Sequence, residues 1–409
     1  MKFVITGHID HGKSTLIGRL LLETNSLPRE KIAEIKKISS NLKTDPELAY
    51  LVDQLREERE KSMTIDTTAI FFRLHKKLFG IIDTPGHLEF IKNMLTGTSH
   101  AEAAILLIDA SEGIKEQTGR NAFLVKMLGL GKIIVAVNKM DLVEYKLAVY
   151  EQIKKEFSNF LKNVGFNNFF FLPISAKKGD NITRRTKSLC WYRGPTLLKT
   201  LTDLKPAPAK NKLPLRLPIQ DIYQINGNQM IVGQIASGKI TVGDSILIYP
   251  EMAAAKVKAV RLGGKFFRRA SAGENIGLIL NKKLSLKRGQ VLVATGHPPE
   301  KIYAFKATLF WFGKQPLKVG QPVIIKSATQ ELTAQLQKIE GKINPATLEI
   351  LAAEAPELKI NEAAEVFFKT EQPIFLEKFS ELPELGRLVI EKDFKLEGAG
   401  TVSNLSCTY

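Results

Sequence analysis

Residues 7 to 14 read GHIDHGKS, directly behind the strand-like run 2 to 6 and overlapping the helical pattern 13 to 22. The segment matches a phosphate-binding loop. In such a loop two glycines let the backbone turn with its N–H groups inward, the lysine reaches the outer phosphates, and the serine hydroxyl is left for Mg²⁺. The strand before the loop and the helix after it argue against a chance match. A nucleoside triphosphate is therefore predicted to bind Gly7, His8, Ile9, Asp10, His11, Gly12, Lys13, Ser14 and Thr15.

A second motif, DTPGH at residues 83 to 87, follows the apolar run 78 to 82. Because the carboxylate of Asp83 would emerge at the C-terminal edge of a strand, it can hold the Mg²⁺ shell through water. Gly86 can present a bare backbone N–H to the γ-phosphate, and loss of that phosphate would release the segment. The pattern therefore predicts a nucleotide-dependent switch.

Two further motifs address the base. Residues 138 to 141 read NKMD after the buried run 132 to 137, and Asp141 can accept hydrogen bonds from the N1–H and the exocyclic amine of guanine. Adenine lacks that pair of donors, so a buried carboxylate there would stay unpaired. Ser175, Ala176 and Lys177 follow the run 169 to 174 and would close the pocket with a backbone N–H toward the guanine oxygen. The residues predicted to bind the base are Asn138, Lys139, Asp141, Ser175, Ala176 and Lys177.

Each short motif is weak by itself, but their combination is specific. Four motifs in this order, each just past a strand, would arise by chance in fewer than roughly one such chain in a thousand. GTP is therefore the predicted ligand, with Mg²⁺ as its metal.

On these motifs the chain resembles the translation-factor class of GTPases, which includes elongation factor Tu, elongation factor 1-alpha and the GTPase subunit of sulfate adenylyltransferase. The resemblance covers nearly the whole chain. It implies that Thr64, within SMTID at residues 62 to 66, is the switch threonine that closes over Mg²⁺, although Ser62-Met63 replaces the usual Gly-Ile. It also implies that His87 orients the attacking water and that Asp10 is the position associated with a monovalent cation.

The predicted catalytic residues are thus Lys13, Thr64 and His87, and the predicted Mg²⁺ site comprises Ser14, Thr64 and Asp83. Taken without the resemblance, His87 could simply cap the following helix, and Thr64 could be a solvated loop residue. We do not predict a zinc site at His8 and His11, because no further histidine or cysteine lies nearby in sequence and Mg²⁺ prefers oxygen.

Composition sets outer limits. The 409 residues suffice for two or three domains, and 44% hydrophobic with 25% charged residues is ordinary for a soluble protein. The two cysteines, Cys190 and Cys407, cannot make a disulfide framework and predict free thiols. No apolar run approaches the roughly 20 residues of a membrane span, and the chain starts in a strand, which predicts a cytoplasmic protein without a signal peptide.

The net charge of +17 favours a polyanionic partner such as RNA, but a general lysine bias would also produce it. The sharpest basic cluster is KFFRR at residues 265 to 269, where three cationic side chains flank two aromatic ones. It could contact a phosphate backbone. It could equally be the solvated rim of a hairpin.

The predicted fold is an α/β P-loop G domain, a mostly parallel sheet with helices on both faces, followed by two β-barrel domains. The boundaries are 1–205 for the G domain with a helical insert at 28–61, 206–211 for a linker, 212–299 for the first barrel and 300–409 for the second. The predicted G-domain strands are Lys2–Thr6, Thr67–Arg73 (an antiparallel edge), Leu78–Asp83, Ala103–Asp109, Lys132–Asn138 and Phe169–Ile174.

Two segments, 50–60 and 309–317, resemble the sulfate enzyme's GTPase more than the other members. The favoured interpretation is therefore the regulatory GTPase subunit of sulfate adenylyltransferase, which would couple GTP hydrolysis to adenylyl sulfate synthesis on a small catalytic sulfurylase subunit. The alternative is a translation elongation factor that delivers aminoacyl-tRNA to the ribosome, which the loop histidines and the basic charge favour. A GTP-dependent chaperone-like protein would share every nucleotide motif. No membrane or DNA partner is expected.

Overall fold

The structure is a computed structural model that describes residues 1–27, 48, 69–74, 77–83, 101–204, 210–225 and 227–405. The predicted residues Thr64, Gly86 and His87 lie outside these ranges, as do Cys407 and all of the insert 28–61 except Leu48. The chain forms two compact units. Unit 1 comprises Met1–Ala207 with Pro345–Leu348, and unit 2 comprises Pro208–Asn344 with Glu349–Tyr409.

Unit 1 is built on a six-stranded sheet in the order β2-β3-β1-β4-β5-β6. All neighbours pair in parallel except β2, which is the antiparallel edge strand. β4 is buried at every position, as expected of a parallel strand covered on both faces. The arrangement is the predicted mostly parallel sheet. Its strands are β1 (Lys2–Gly7), β2 (Ala69–Leu74), β3 (Lys77–Asp83), β4 (Ala103–Asp109), β5 (Lys132–Asn138) and β6 (Asn168–Pro173).

The helices of unit 1 cover both faces of this sheet. Phe3 and Ile5 of β1 share a core with α1 and α4, whereas the alternate residue Val4 is also fully buried and points to the opposite face, where α2 packs on β1 and β4. Among the described helices, none combines the length and the apolar character that crossing a membrane requires. The helices are α1 (Lys13–Glu23), α2 (Glu116–Met127), α3 (Leu147–Val164) and α4 (Leu197–Asp203), with 3-10 turns at Met140–Val143 and Lys187–Leu189.

The first half of unit 2 is a barrel of short antiparallel strands in the order β7-β16-β11-β12-β15-β9-β8, with β13 on β12 and a separate β10-β14 pair. The barrel closes where β7 and the residues after it meet β9 and the residues after it through backbone hydrogen bonds, from Gln220 N to Val232 O at 2.9 Å and from Ala236 N to Arg216 O at 2.8 Å. Its strands are β7 (Arg216–Pro218), β8 (Asp221–Ile225), β9 (Asn228–Gln234), β10 (Lys239–Thr241), β11 (Ser245–Tyr249), β12 (Ala253–Leu262), β13 (Lys265–Phe267), β14 (Arg269–Ser271), β15 (Asn275–Leu280) and β16 (Val291–Ala294).

The second half of unit 2 is another antiparallel barrel. Its order is β19-β24-β25-β17-β23-β20-β21, and the additional β19–β20 pairing closes it around a core that includes Phe305, Trp311 and Phe368. Its strands are β17 (Ile302–Trp311), β18 (Leu317–Lys318), β19 (Pro322–Ser327), β20 (Gln330–Ile343), β21 (Ile350–Glu354), β22 (Glu357–Leu358), β23 (Ala363–Ile374), β24 (Arg387–Lys392) and β25 (Lys395–Asn404), with a short helix α5 (Pro383–Gly386).

The two barrels pack directly on each other within unit 2. The Tyr249 hydroxyl donates to Ile374 O at 3.1 Å, and the Tyr249 ring meets Phe375 edge-on at 5.1 Å. Arg216 stacks over the same Phe375 ring and pairs with Glu377 at 2.8 Å, with both side chains mostly buried. The barrels therefore share a partly apolar interface that is reinforced by charge.

Candidate functional site

The predicted phosphate loop joins β1 to α1. The Lys13 ammonium donates to the carbonyls of Gly7 at 3.0 Å and His8 at 2.8 Å, so carbonyl groups of the phosphate loop itself hold the ammonium. Gly12 takes a φ of 91° at the N-cap of α1, and a Cβ there would lie 2.5 Å from the side-chain nitrogen of Asn138. Both the left-handed backbone conformation and the close approach of Asn138 exclude a larger residue at this position.

The loop presents donors to an anion at the start of α1. Because α1 begins at Lys13, the backbone N–H groups of its first turn have no partner within the helix and carry the positive end of its dipole. Ser14 and Thr15 are half-buried in that turn, whereas Ile9 and Asp10 are exposed on the loop's outer side. The arrangement suits the phosphates of a nucleotide.

His11 is part of the scaffold of the loop. Its ring is fully buried, and Nδ1 lies 3.2 Å from the carbonyl oxygen of Leu107 on β4. Burial lowers the pKa of His11 below its ordinary value, although the Leu107 carbonyl and the charge of Asp109 act in the opposite direction. His11 is therefore held neutral, and it ties the loop to the neighbouring strand.

Asn138 connects the phosphate loop to the predicted base loop. The asparagine is 2% exposed at the end of β5. Its amide nitrogen donates to His11 O at 2.9 Å, and its amide oxygen accepts from Ala176 N at 2.9 Å. One side chain thus joins two predicted binding segments that lie far apart in sequence.

The base motif turns sharply after Asn138. Lys139 adopts a positive φ of 59°, and the next residues form the 3-10 turn that carries Asp141. Oδ1 of Asp141 is buried, and no donor within the described residues reaches it. A buried carboxylate oxygen without a donor fits the guanine N–H groups that the sequence predicts.

The loop after β6 is held from both sides. Ser175 is fully buried, its Oγ accepts from Lys178 N at 3.1 Å, and its N–H donates to Asp180 O at 3.2 Å. Arg19 of α1 donates to Ala176 O at 3.0 Å and also to Lys177 O, while the Lys177 side chain is exposed. The helix behind the phosphate loop therefore also supports the base loop.

The remaining predicted residues belong to the switch. Asp83 ends β3 and lies opposite Ile5 of β1 in the register, which places its backbone beside the start of the phosphate loop. Gly86, His87 and Thr64 lie outside the described residues. Their roles stay predictions.

Two residues outside the sequence motifs also belong to the candidate site, Arg19 and Asp109. Arg19 has no sequence signal, because a helical arginine is ordinary. Asp109 does have one, since it stands at the end of a buried strand in the same way as Asp83 and Asn138. Its carboxylate is 1% exposed and lies 2.7 Å from the Lys139 ammonium.

Comparison with known proteins identifies the family. The family described as the elongation factor Tu GTP binding domain matches residues 1–207. The chain belongs to the translation-factor GTPases of the elongation factor Tu and 1-alpha type. A second family, the GTP-eEF1A C-terminal domain-like family, matches residues 304–403 of this translation-factor GTPase.

Similar proteins match over nearly the full length. The chain is 37% identical over 407 residues to elongation factor 1-alpha of Archaeoglobus fulgidus, covering 98% of this chain and 96% of that protein. It is 36% identical to elongation factor 1-alpha of Aeropyrum pernix and 37% identical to that of Ignicoccus hospitalis, each covering 99% of this chain and 96% of the relative.

These similarities overturn the favoured interpretation from the sequence. The assignment to the GTPase subunit of sulfate adenylyltransferase, with a sulfurylase subunit as partner, is wrong, because the full-length similarity is to elongation factors 1-alpha. The segments 50–60 and 309–317 that suggested it are short, and such local likeness weighs less than similarity along the whole chain. The GTP-binding fold itself is confirmed.

Proposed function

We propose that this chain is a GTP-dependent translation elongation factor that delivers aminoacyl-tRNA to the ribosome. The observation that carries the proposal is the near full-length similarity to proteins named elongation factor 1-alpha. The geometry of unit 1 supports the nucleotide half of the proposal, through the α1 N-terminus for phosphate and the unpaired oxygen of Asp141 for guanine.

Mg²⁺ fits the residues at the phosphate loop. No hydrogen bond within the described part of the chain occupies the Ser14 hydroxyl, which lies in the first turn of α1. β3 brings the Asp83 backbone alongside β1. Oxygen donors of this kind are those Mg²⁺ prefers, and Ser14, Asp83 and Thr64 would hold it, where it would neutralise charge on the phosphates.

The chain's own residues would then carry out hydrolysis. Lys13 would leave the loop carbonyls for the outer phosphates, and the backbone N–H of Gly86 would contact the γ-phosphate. His87 would orient the attacking water, and Thr64 would close over the site only in the GTP state. Loss of the γ-phosphate would release both switch segments, which would make partner binding depend on the nucleotide.

The basic hairpin, defined here as residues 265 to 269, offers a surface suited to RNA. Phe266 and Phe267 are 68% and 47% exposed, and the Arg261 guanidinium lies 5.1 Å from the Phe266 ring centre. Lys265, Arg268 and Arg269 are exposed, and none forms an ion pair with a described acidic side chain. Unpaired cations beside exposed aromatic rings are the features that proteins use to bind nucleic acid.

The proposal is tested by tRNA binding at two salt concentrations, with a non-hydrolysable GTP analogue and with GDP. We expect tight binding of aminoacyl-tRNA with the GTP analogue, weaker binding with GDP, and a steep loss of affinity as salt rises. Weak binding that is indifferent to the nucleotide would contradict delivery of tRNA while leaving GTP binding intact.

A paired variant tests the hairpin. Lys265→Ala with Arg268→Ala should weaken tRNA binding and lower the salt slope by about 2, as expected for two lost phosphate contacts. The matched control is Lys155→Ala with Lys162→Ala, which removes the same charge from exposed positions of α3. Equal effects of both pairs would show that only net charge matters and that the hairpin is a solvated rim.

A further inference from the structure

Asp109 ends β4 next to the base motif. In the register of the sheet it lies opposite Asn138, the first residue of that motif. The carboxylate is 1% exposed, and Oδ1 accepts two hydrogen bonds from Ser111, from the backbone N–H at 2.8 Å and from the hydroxyl at 2.6 Å. One oxygen is therefore held by the chain's own turn, and the other faces the base motif.

That second oxygen holds Lys139. The Lys139 ammonium lies 2.7 Å from Oδ2 of Asp109, and the lysine side chain is 30% exposed. A lysine has a long flexible stem and loses much rotamer freedom when it is fixed. The buried carboxylate supplies the attraction that holds this stem in one arrangement.

The pair is electrostatically matched. Burial by itself would raise the pKa of Asp109, but the ion pair with Lys139 and the hydrogen bonds from Ser111 outweigh it and hold the pKa below its ordinary value. The carboxylate is therefore charged at neutral pH, and it needs the ammonium because a buried charge without a partner is strongly unfavourable.

The same short loop also touches the rest of the site. Ala110 N donates to Asn138 O at 2.8 Å, and the Glu112 carboxylate lies 3.8 Å from Nε2 of His11. The segment after β4 therefore contacts the phosphate loop and the base motif together. None of its residues belongs to the motifs that predict nucleotide binding.

We propose that Asp109 is a positioning residue for guanine nucleotide binding. By holding the Lys139 ammonium, it keeps the lysine stem across the base pocket, between Asn138 and Asp141, and so slows nucleotide dissociation. The inference rests on GTP binding by unit 1 and not on tRNA delivery. Its test uses nucleotide alone, so its failure is distinct from a failure of the proposed function.

The test measures dissociation of a fluorescent GDP from the full chain in a stopped-flow chase. Asp109→Asn keeps the shape of the side chain but removes the charge, and we expect GDP to dissociate roughly 10-fold faster. A change of this size is typical of the interaction between two side chains in contact. The matched control is Asp203→Asn, which breaks a similar 2.9 Å ion pair, with Lys199, on the exposed face of α4. It should leave dissociation unchanged.

A double-variant cycle separates positioning from a merely structural role. Lys139→Met keeps a stem without the charge, and Asp109→Asn should add nothing to the rate in that background, since its partner is already gone. If Asp109→Asn changes the rate by the same factor in both backgrounds, or leaves it unchanged in the wild type, the proposal is wrong.

A milder variant covers the case in which Asp109→Asn does not fold. Ser111→Ala leaves the carboxylate in place and removes one of the bonds that orient it. We expect a smaller acceleration, about 3-fold, that also disappears in the Lys139→Met background. An unchanged rate with Ser111→Ala, in a chain whose Asp109→Asn variant does not fold, would count against positioning by this carboxylate.

Discussion

Replacing Asn138 by alanine is the most direct perturbation of the nucleotide site. The change removes a donor to His11 O and an acceptor for Ala176 N, both at 2.9 Å and both in buried surroundings. Each buried group left without a partner costs about 1 to 3 kcal/mol. Two such groups together cost about 2 to 6 kcal/mol, and water that enters beside the half-buried Gly12 reduces this cost to about 2 to 4 kcal/mol.

That cost should appear as lost affinity. If the two loops separate in the free variant, the nucleotide must restore their arrangement when it binds. We expect Asn138→Ala to weaken GDP binding roughly 30- to 1000-fold. Isothermal titration calorimetry of the full chain measures it directly.

The control for this experiment is another buried asparagine. Asn121 is 3% exposed in α2, and its side-chain oxygen accepts from Gln117 one helical turn away at 3.2 Å, so it joins no separate segments. Asn121→Ala should therefore leave GDP affinity within about 3-fold of the wild type. If Asn138→Ala also stays within 3-fold, the two hydrogen bonds do not hold the site in its binding arrangement.

Three further predictions concern single side chains. Asp141→Asn should weaken GTP binding by about 2 kcal/mol or more in calorimetry, and the variant should gain affinity for xanthosine triphosphate. An unchanged affinity for GTP would contradict the guanine assignment. His87→Ala should slow single-turnover hydrolysis by ~10²-fold and leave the nucleotide affinity nearly intact, whereas Lys13→Ala should lower both the rate and the affinity. If His87→Ala does not change the hydrolysis rate, His87 has a structural role only. Folding lowers the pKa of His11, so the unfolded chain binds a proton at this residue more readily than the folded chain does. Thermal stability should therefore decrease as the pH falls below about 6.5. A His11→Asn variant should show a flatter profile between pH 7.5 and 5, and an identical profile would exclude His11 as the cause.

The sequence alone was sufficient for the nucleotide-binding fold. The phosphate loop, the buried runs and the position of each motif after a strand are local patterns, and parallel strands bring their C-terminal ends to one edge. The antiparallel pairing of β2 with β3 was predictable, because only two residues separate the strands and so short a connection permits only antiparallel pairing. These features depend on neighbours in the chain.

Strand boundaries in the barrels depended on tertiary structure. Residues 217 to 223 read LPIQDIY, a short β-rich run that predicts a single strand, but the structure contains β7 and β8 with a break between them. At that break Ile219 N bonds to Gln290 O at 2.8 Å and Gln220 N to Val232 O at 2.9 Å, so successive residues change partners. No local pattern encodes which distant strand receives each hydrogen bond.

Local sequence patterns also could not identify the binding partner of the chain. The nucleotide motifs are common to the whole class of GTPases, so they could not separate sulfate activation from translation. Short segments such as 50–60 pointed the wrong way, and similarity along the entire chain corrected them. Selection among partners acts on surfaces spread over several domains.

The sequence predicts which residues form the nucleotide site, and the tertiary structure decides how the described residues among them are held. Asn138 reaches a carbonyl 127 residues away, and Arg19 reaches carbonyls 157 and 158 residues away. Asp109 meets Lys139 only because β4 and β5 are neighbours in register. Side-chain contacts of this kind depend on strand order and burial, which emerge when the sheet assembles.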